Sequence, residues 1–470
     1  MKADVSTGQQ PHVSVKAVAR QQLKTLPLIG VIFFSVSGGP YGLEESISSS
    51  GPGMALLALI ITPIVFGLPC ALMAAELGSA MPVEGGYYYW VKAALGRFPA
   101  FLEGIWQWLN SFLDTALYPV VFADYLSQWV PWSARGHAVA LSVFDGQFAI
   151  DSHWVVAVAF MIPLAWLNAR GSRLVGDTSV LLMVLILLPF VLVSILGLIK
   201  LAAPGTGSVL SPFTLSGQSA PSAFGAGLGV VLWNYIGWES ASTVLEEVDR
   251  PQRTFSRALF VSVPLITISY LLPMLGALGS GLHRGAPDQW TDGDFAVVGG
   301  ILGGHWLKLA VTIGAVIAQV GLFSSLLMSG SRVPKVLAAE GFLPAFLAKD
   351  GRRGTPVAAI AVSCAIFSVF CALDFQTLID ADILTNLAAI LLEFAAFLML
   401  RYRQPGMARP FTVPGGWPVA VLITAGPVII TGYLLQSTLT GEPGAFWIGL
   451  IVLAGGVLLY PLCRRSSRLV

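Results

Sequence analysis

The chain has 470 residues, of which 55% are hydrophobic and 11% charged, and its net charge is +1. A soluble chain carries about 25% charged residues, so a water-soluble globular fold is excluded, and a balanced charge gives nucleic acid no electrostatic footing. Four cysteines at no ligand spacing predict neither disulfides nor a metal site, and no cofactor or phosphate-cradling motif occurs.

Apolar stretches of about 17 to 25 residues, the length of a membrane-crossing helix, recur from end to end. The first 25 residues are polar, with Lys16, Arg20 and Lys24 ahead of the first apolar run, and read as a cytoplasmic tail. Twelve spans are predicted: 26–50, 53–77, 98–128, 152–170, 174–200, 222–247, 256–280, 307–331, 356–373, 377–400, 416–436 and 444–463. Residues 464–470 form a second short tail, and 26–463 read as one membrane domain. With the N-terminus in the cytoplasm, only Arg135, Lys200, Arg284 and Lys308 of the 26 Lys and Arg lie outside. Both termini are therefore predicted to be cytoplasmic, in a multi-pass protein of the plasma membrane. Short amphipathic helices are predicted in the cytoplasmic connections at 85–95 and 333–348, and an irregular outer connection at 281–306.

The first span is interrupted by SVSGGPYGLEES, residues 35–46. Gly38, Gly39, Pro40 and Gly42 do not sustain a helix, and Glu44 and Glu45 do not suit lipid. The sixth span, LGVVLWNYIGWESASTVLEE at 228–247, meets Asn234, Gly237 and Glu239 in the same way. Broken spans five apart run in opposite directions, the pattern of an inverted repeat of spans 1–5 (26–200) against 6–10 (222–400), with helices 11 and 12 (416–463) appended. The fold class is thus an all-α membrane protein of twelve transmembrane helices, five plus five, with helices 1 and 6 discontinuous. Unwound backbone survives at membrane depth only inside protein or beside water. Gly38 and Gly39 are accordingly predicted to present backbone to a bound solute.

Ionisable side chains within spans are functional candidates by default. Asp114 is mid-span, and Gln107, Ser111, Asp114 and Tyr118 form one polar helical stripe. Glu44, Glu45 and Glu239 each follow a break, where a half-helix start favours a carboxylate. They read as substrate-binding residues or as caps. Tyr41, Trp233, Tyr235 and Trp238 place aromatic faces beside these acids, which suits an ammonium group. Asp114 and Glu239 are the candidate proton carriers, while Ser324 and Ser325, mid-span, leave sodium as the other coupling ion. Glu76, Glu103 and Glu393 read as gating or structural, and Glu393, two turns before Arg401, is a candidate partner for it at an inner gate. Glu246, Glu247 and Asp249 are predicted to pair with Arg250, Arg253 and Arg257, and Asp374, Asp380 and Asp382 to lie near the outer mouth.

SGGPYGLEES, AAELGSAMPVEGGYYYWVKAALG (74–96), DTALYPVVFADYL (114–126), WESASTVLEEVDRPQRTFSRAL (238–259), SGSRVPKVLAAEGFLP (329–344) and LEFAAFLMLRYRQPGMARPFTVPGG (392–416) together resemble the amino acid–polyamine–organocation superfamily. Within it they are most similar to the branch of plant and protozoan polyamine uptake permeases. The similarity spans about residues 25–435. It implies the five-plus-five fold, alternating access and secondary active transport without ATP. The expectation is a proton-coupled importer of a cationic amine, a polyamine or else a cationic amino acid. A permease or exchanger for neutral amino acids is the alternative, and a nutrient receptor that lost turnover a further one. The partners are then a small amine or amino acid, protons and the bilayer, with no nucleic acid. The five histidines offer no triad or metal motif, so no catalytic residue is predicted.

Overall fold

The computed structural model describes residues 22–127, 130, 132, 139–143, 146–204, 208–372, 375–441 and 443–466. Most of the expected N-terminal tail, residues 467–470 of the C-terminal one, Asp374 and the side chains of Asp380 and Asp382 lie outside that description.

A helix or a broken helix occupies each of the twelve apolar stretches. In the first, α1 (Thr25–Val36) and α2 (Glu44–Ser50) flank the Gly-rich break. In the second, α3 (Pro52–Thr62) and α4 (Leu68–Ala80) continue through a π-helical turn at Pro63–Gly67. The short α5 (Gly86–Leu95) leads into α6 (Arg97–Ser127). A hairpin of β1 (Val139–Val143) and β2 (Gly146–Ile150), with Val139 opposite Ile150, follows and departs from the all-α expectation. Next come α7 (Ser152–Arg170), α8 (Ser172–Leu201), and the broken sixth stretch: α9 (Ala220–Trp233), then a 3-10 helix at Ser240–Glu247. The second half continues with α10 (Pro251–Gly279), α11 (Asp294–Gly303), α12 (His305–Gly330), α13 (Arg332–Ala339) and α14 (Val357–Phe370). The chain closes with α15 (Phe375–Arg403), α16 (Gly416–Gly441) and α17 (Pro443–Ser466).

Among the described residues, seven helical segments are long and apolar enough to cross a bilayer, including Pro52–Ala80, Ser172–Leu201 and Pro251–Gly279. Helix α8 turns Leu181, Leu188, Ile195 and Ile199 outward, each half-exposed or more, in a stripe suited to lipid rather than water. Helix α1 behaves oppositely. Every residue from Leu28 to Val36 is buried, because α1 is packed among α8, α10 and α12. Where α8 crosses α10 the backbones touch: a Cβ on Gly197 would fall 2.1 Å from the Gly276 carbonyl oxygen. Small residues at such crossings are how membrane helices gain van der Waals contact.

The outer connection at 281–306 is not wholly irregular. It contains α11, started by Gly293 at φ +93 and by Asp294, whose Oδ2 accepts the Thr291 N–H at 3.0 Å.

Candidate functional site

The break in the first stretch is a tight local structure. Gly39 adopts φ +92 and its N–H donates to Ser37 Oγ at 3.1 Å. Tyr41 then reaches across to α12, donating to the Val311 carbonyl at 2.6 Å, and meets Phe190 of α8 edge-on at 5.0 Å. The break in the sixth stretch lies against it. Gly237, at φ +106, is so close to α1 that a Cβ would fall 2.1 Å from the Ser35 carbonyl oxygen. Tyr270 of α10 holds this second break by donating to the Asn234 carbonyl at 2.8 Å.

Both breaks wall a cavity of about 670 Å³. From the breaks come Ser35, Gly38, Tyr41, Gly42, Trp233 and Gly237. The opposite wall is α6, and all four residues of the expected stripe, Gln107, Ser111, Asp114 and Tyr118, line it. Tyr118 donates to Asp114 Oδ1 at 2.8 Å. The stripe runs further than expected, through Asn110, Thr115, Asp124 and Tyr125. Its continuation at three- and four-residue spacing was the available signal. Asp124 also meets His153 of α7 at 2.8 Å. Asp292, Asp294 and Lys308 complete the lining at the end beside α11. Asp292, just before α11, and Asp294, its first residue, sit on a connection with no periodicity to single them out, and Lys308 is near the start of α12.

Several expected site residues lie elsewhere. Glu44 is buried with Oε1 accepting the Phe295 N–H at 3.3 Å, so it faces α11, and Glu45 is exposed. Neither they nor Gly39 line the cavity. Tyr235 and Trp238 are fully buried behind the break, against Gly67 of the π-helical turn, and Tyr235 stacks edge-on with Tyr270 at 5.3 Å. The unwound backbone turns these rings away from the solute space. Glu239 is buried below the cavity floor, with Ser240 Oγ at 3.5 Å from its Oε1.

Among the described residues, the exposed part of the cavity lining beside α11 and the buried part lie at opposite ends. Thr291, Asp292 and Val297 are exposed at the mouth, whereas Tyr87, Ser329 and Asn386 at the far end are buried. Beyond that far end the basic connections are sewn together by ion pairs. Arg332, fully buried, donates to Glu247 at 2.9 Å; Lys335 meets Glu84 at 2.7 Å and Asp350 at 2.6 Å; Lys92 meets Glu340 at 2.6 Å. Glu247 thus pairs with α13 rather than with its sequence neighbours Arg250, Arg253 and Arg257. Arg401 takes Glu76 as a bidentate partner, not Glu393, and Arg409 and the Val413 N–H join the same carboxylate at 3.3 and 2.7 Å. Glu393 misses Arg401 because it faces α6 while Arg401 faces α4.

A buried, partly unwound, acid-lined cavity closed at its basic end is the anatomy of a solute carrier. Residues 25–463 match the family described as amino acid permease. The chain belongs to that family, within the amino acid–polyamine–organocation superfamily. It is 33% identical over 469 residues to a probable polyamine transporter of Arabidopsis thaliana, covering 99% of this chain and 89% of that protein. It is 35% identical over 441 residues to polyamine transporter PUT1 of Oryza sativa subsp. japonica, covering 93% and 78%. A more distant relative, Asc-type amino acid transporter 1 of Mus musculus, is 25% identical over 444 residues, covering 93% and 79%. The protein is therefore a multi-pass membrane transporter, not an enzyme.

Proposed function

We propose that the protein imports a cationic amine, a polyamine such as putrescine or spermidine, by proton-coupled alternating access. In this reading twelve spans form a five-plus-five inverted repeat in the plasma membrane, with both termini cytoplasmic. The cavity then opens outward and the ion-paired end is the closed inner gate.

One observation carries the substrate class. Among the described residues, the cavity lining holds four acids, Asp114, Asp124, Asp292 and Asp294, against one base, Lys308. A cation meets attraction along this path. An amino acid carboxylate finds little to hold it at the first break, because Pro40 has no N–H and the Gly39 N–H is taken by Ser37. Asp114 is the ammonium anchor, oriented by Tyr118, with Tyr41 and Trp233 as aromatic walls and the Gly38 backbone alongside. Asp114 and Glu239 are titratable groups on and below the substrate path, which suits proton coupling. Against the sodium alternative, Ser324 Oγ already accepts from Asn168 at 3.2 Å and Ser325 Oγ lies 3.4 Å from Ser179 Oγ.

Competition tests the substrate class. Uptake of radiolabelled putrescine is expected to be suppressed by spermidine and other amines and spared by neutral amino acids. The reverse pattern makes this an amino acid permease.

A further inference from the structure

Two acids from helices and one from the sixth-stretch break converge beneath the cavity floor. Glu103 of α6 and Glu393 of α15 are fully buried, and Glu239, after the sixth-stretch break, is 1% exposed. Glu103 and Glu393 lie side by side, close enough that a proton on either would hydrogen-bond to the other. Among the described residues, none of their four carboxylate oxygens accepts a hydrogen bond of ordinary geometry, although the Gln107 amide approaches Glu103, and Glu239 Oε2, near both, is equally unpartnered.

Elsewhere the fold gives buried acids cationic partners. Glu76 has two arginines and a backbone N–H, and Glu247 has Arg332. Among the described residues, no cation faces the pair. Arg401 is eight residues along α15, about 12 Å by helical rise, and is committed to Glu76. The other polar neighbours are Tyr87 of α5, Cys70 of α4 and Gln107, one turn from Glu103 on α6. A buried carboxylate without a partner is strongly destabilising, and two in contact do not both stay ionised. A proton between them removes both penalties and supplies the missing donor. Tyr87 and Gln107 also line the cavity, so the pair is separated from the substrate path by a single layer of side chains.

We propose that Glu103 and Glu393 share one proton and form the store from which the co-transported proton is exchanged with the cavity past Gln107 and Tyr87. In each cycle one proton enters from the cavity onto the pair. As the far end opens, that proton leaves to the inner side and water solvates the two carboxylates left behind. Glu239, carried by the broken sixth helix, faces the pair and couples its charge to movement of the break. The pair's place in transport rests on the proton-coupled reading above; the shared proton itself does not.

Infrared spectroscopy of purified protein tests the shared proton. At neutral pH a protonated-carboxyl carbonyl band, shifted in D2O, is expected in the wild type and diminished in Glu103→Gln and in Glu393→Gln. Glu393→Asp, which keeps the acid, is expected to retain it. In proteoliposomes the glutamine variants are expected to lose pH-gradient-driven accumulation of putrescine, with counterflow exchange at equal pH reduced far less. Identical bands in wild type and variants, or accumulation that follows the pH gradient as in wild type, would overturn the proposal. If the wild type carries no putrescine at all, the transport reading fails, and the infrared band still decides whether the pair holds a proton. Should neither glutamine variant fold, absence of the wild-type band contradicts the proposal.

Discussion

Gly237 and Ser35 join the two broken helices: a Cβ at 237 would sit 2.1 Å from the Ser35 carbonyl oxygen. The contact brings the two unwound segments onto one cavity, and it also sets the first expectation. Gly237→Ala meets both a clash and the φ of +106, a backbone region that alone costs about 1–3 kcal/mol for a residue with a Cβ. A lower unfolding temperature of the detergent-purified protein, with uptake lost, is the expected result. An unchanged melting curve would mean that the two breaks do not meet in this way.

Asp114→Asn is nearly isosteric, keeps the Tyr118 contact and removes only the charge. Concentrative uptake is expected to fall to background with the melting temperature held. Tyr118→Phe, which frees the carboxylate from its 2.8 Å hydrogen bond, is expected to raise KM more than it lowers the maximal rate. If Asp114→Asn transports with the wild-type pH profile, Asp114 is a structural anchor.

Glu76→Gln removes the carboxylate shared by Arg401 and Arg409. Breaking a buried pair by deleting one partner costs about 3–5 kcal/mol, and here the cost falls on the closed basic end. A single cysteine at Ser329, buried at the cavity's far end, in a cysteine-free background is expected to react faster with a thiol reagent from the inner side. Unchanged reactivity would show that these pairs hold helices together without closing a gate.

These three positions were not equally legible in the sequence. The breaks and the Asp114 stripe were readable because glycine, proline and helical spacing are local signals. The short helices at Gly86–Leu95 and Arg332–Ala339 were readable for the same reason. Partner choice was not. Arg401 finds Glu76, 325 positions away, rather than Glu393 on its own helix, because the two acids face different neighbours. The burial of Tyr235 and Trp238 behind the break, away from the cavity, depends on the path of unwound backbone, which no periodicity describes. Helix α11 was hidden by its glycines and is held by Glu44, whose Oε1 accepts the Phe295 N–H in its first turn. The unpartnered Glu103–Glu393 pair emerges only from packing of α6 on α15.

Asp292 stands at the rim of the cavity mouth, and protein packed on its inner side pushes its carboxyl above the usual aspartate range, with Asp294 adding to the push. Its attraction for cations is present above that raised value and is lost as pH falls through it. Asp292→Asn is expected to raise the KM for a polyamine most at low ionic strength, with the difference shrinking as the Debye length falls to about 8 Å at physiological salt. A KM that is insensitive to both the substitution and salt would remove the mouth from the capture path.

Radiolabelled putrescine uptake into proteoliposomes, under an imposed inward proton gradient in sodium-free buffer, tests the account most directly. The expected result is accumulation above equilibrium that collapses with a protonophore and with Asp114→Asn. No uptake without sodium, or uptake indifferent to the proton gradient, would contradict proton-coupled import of a cationic amine.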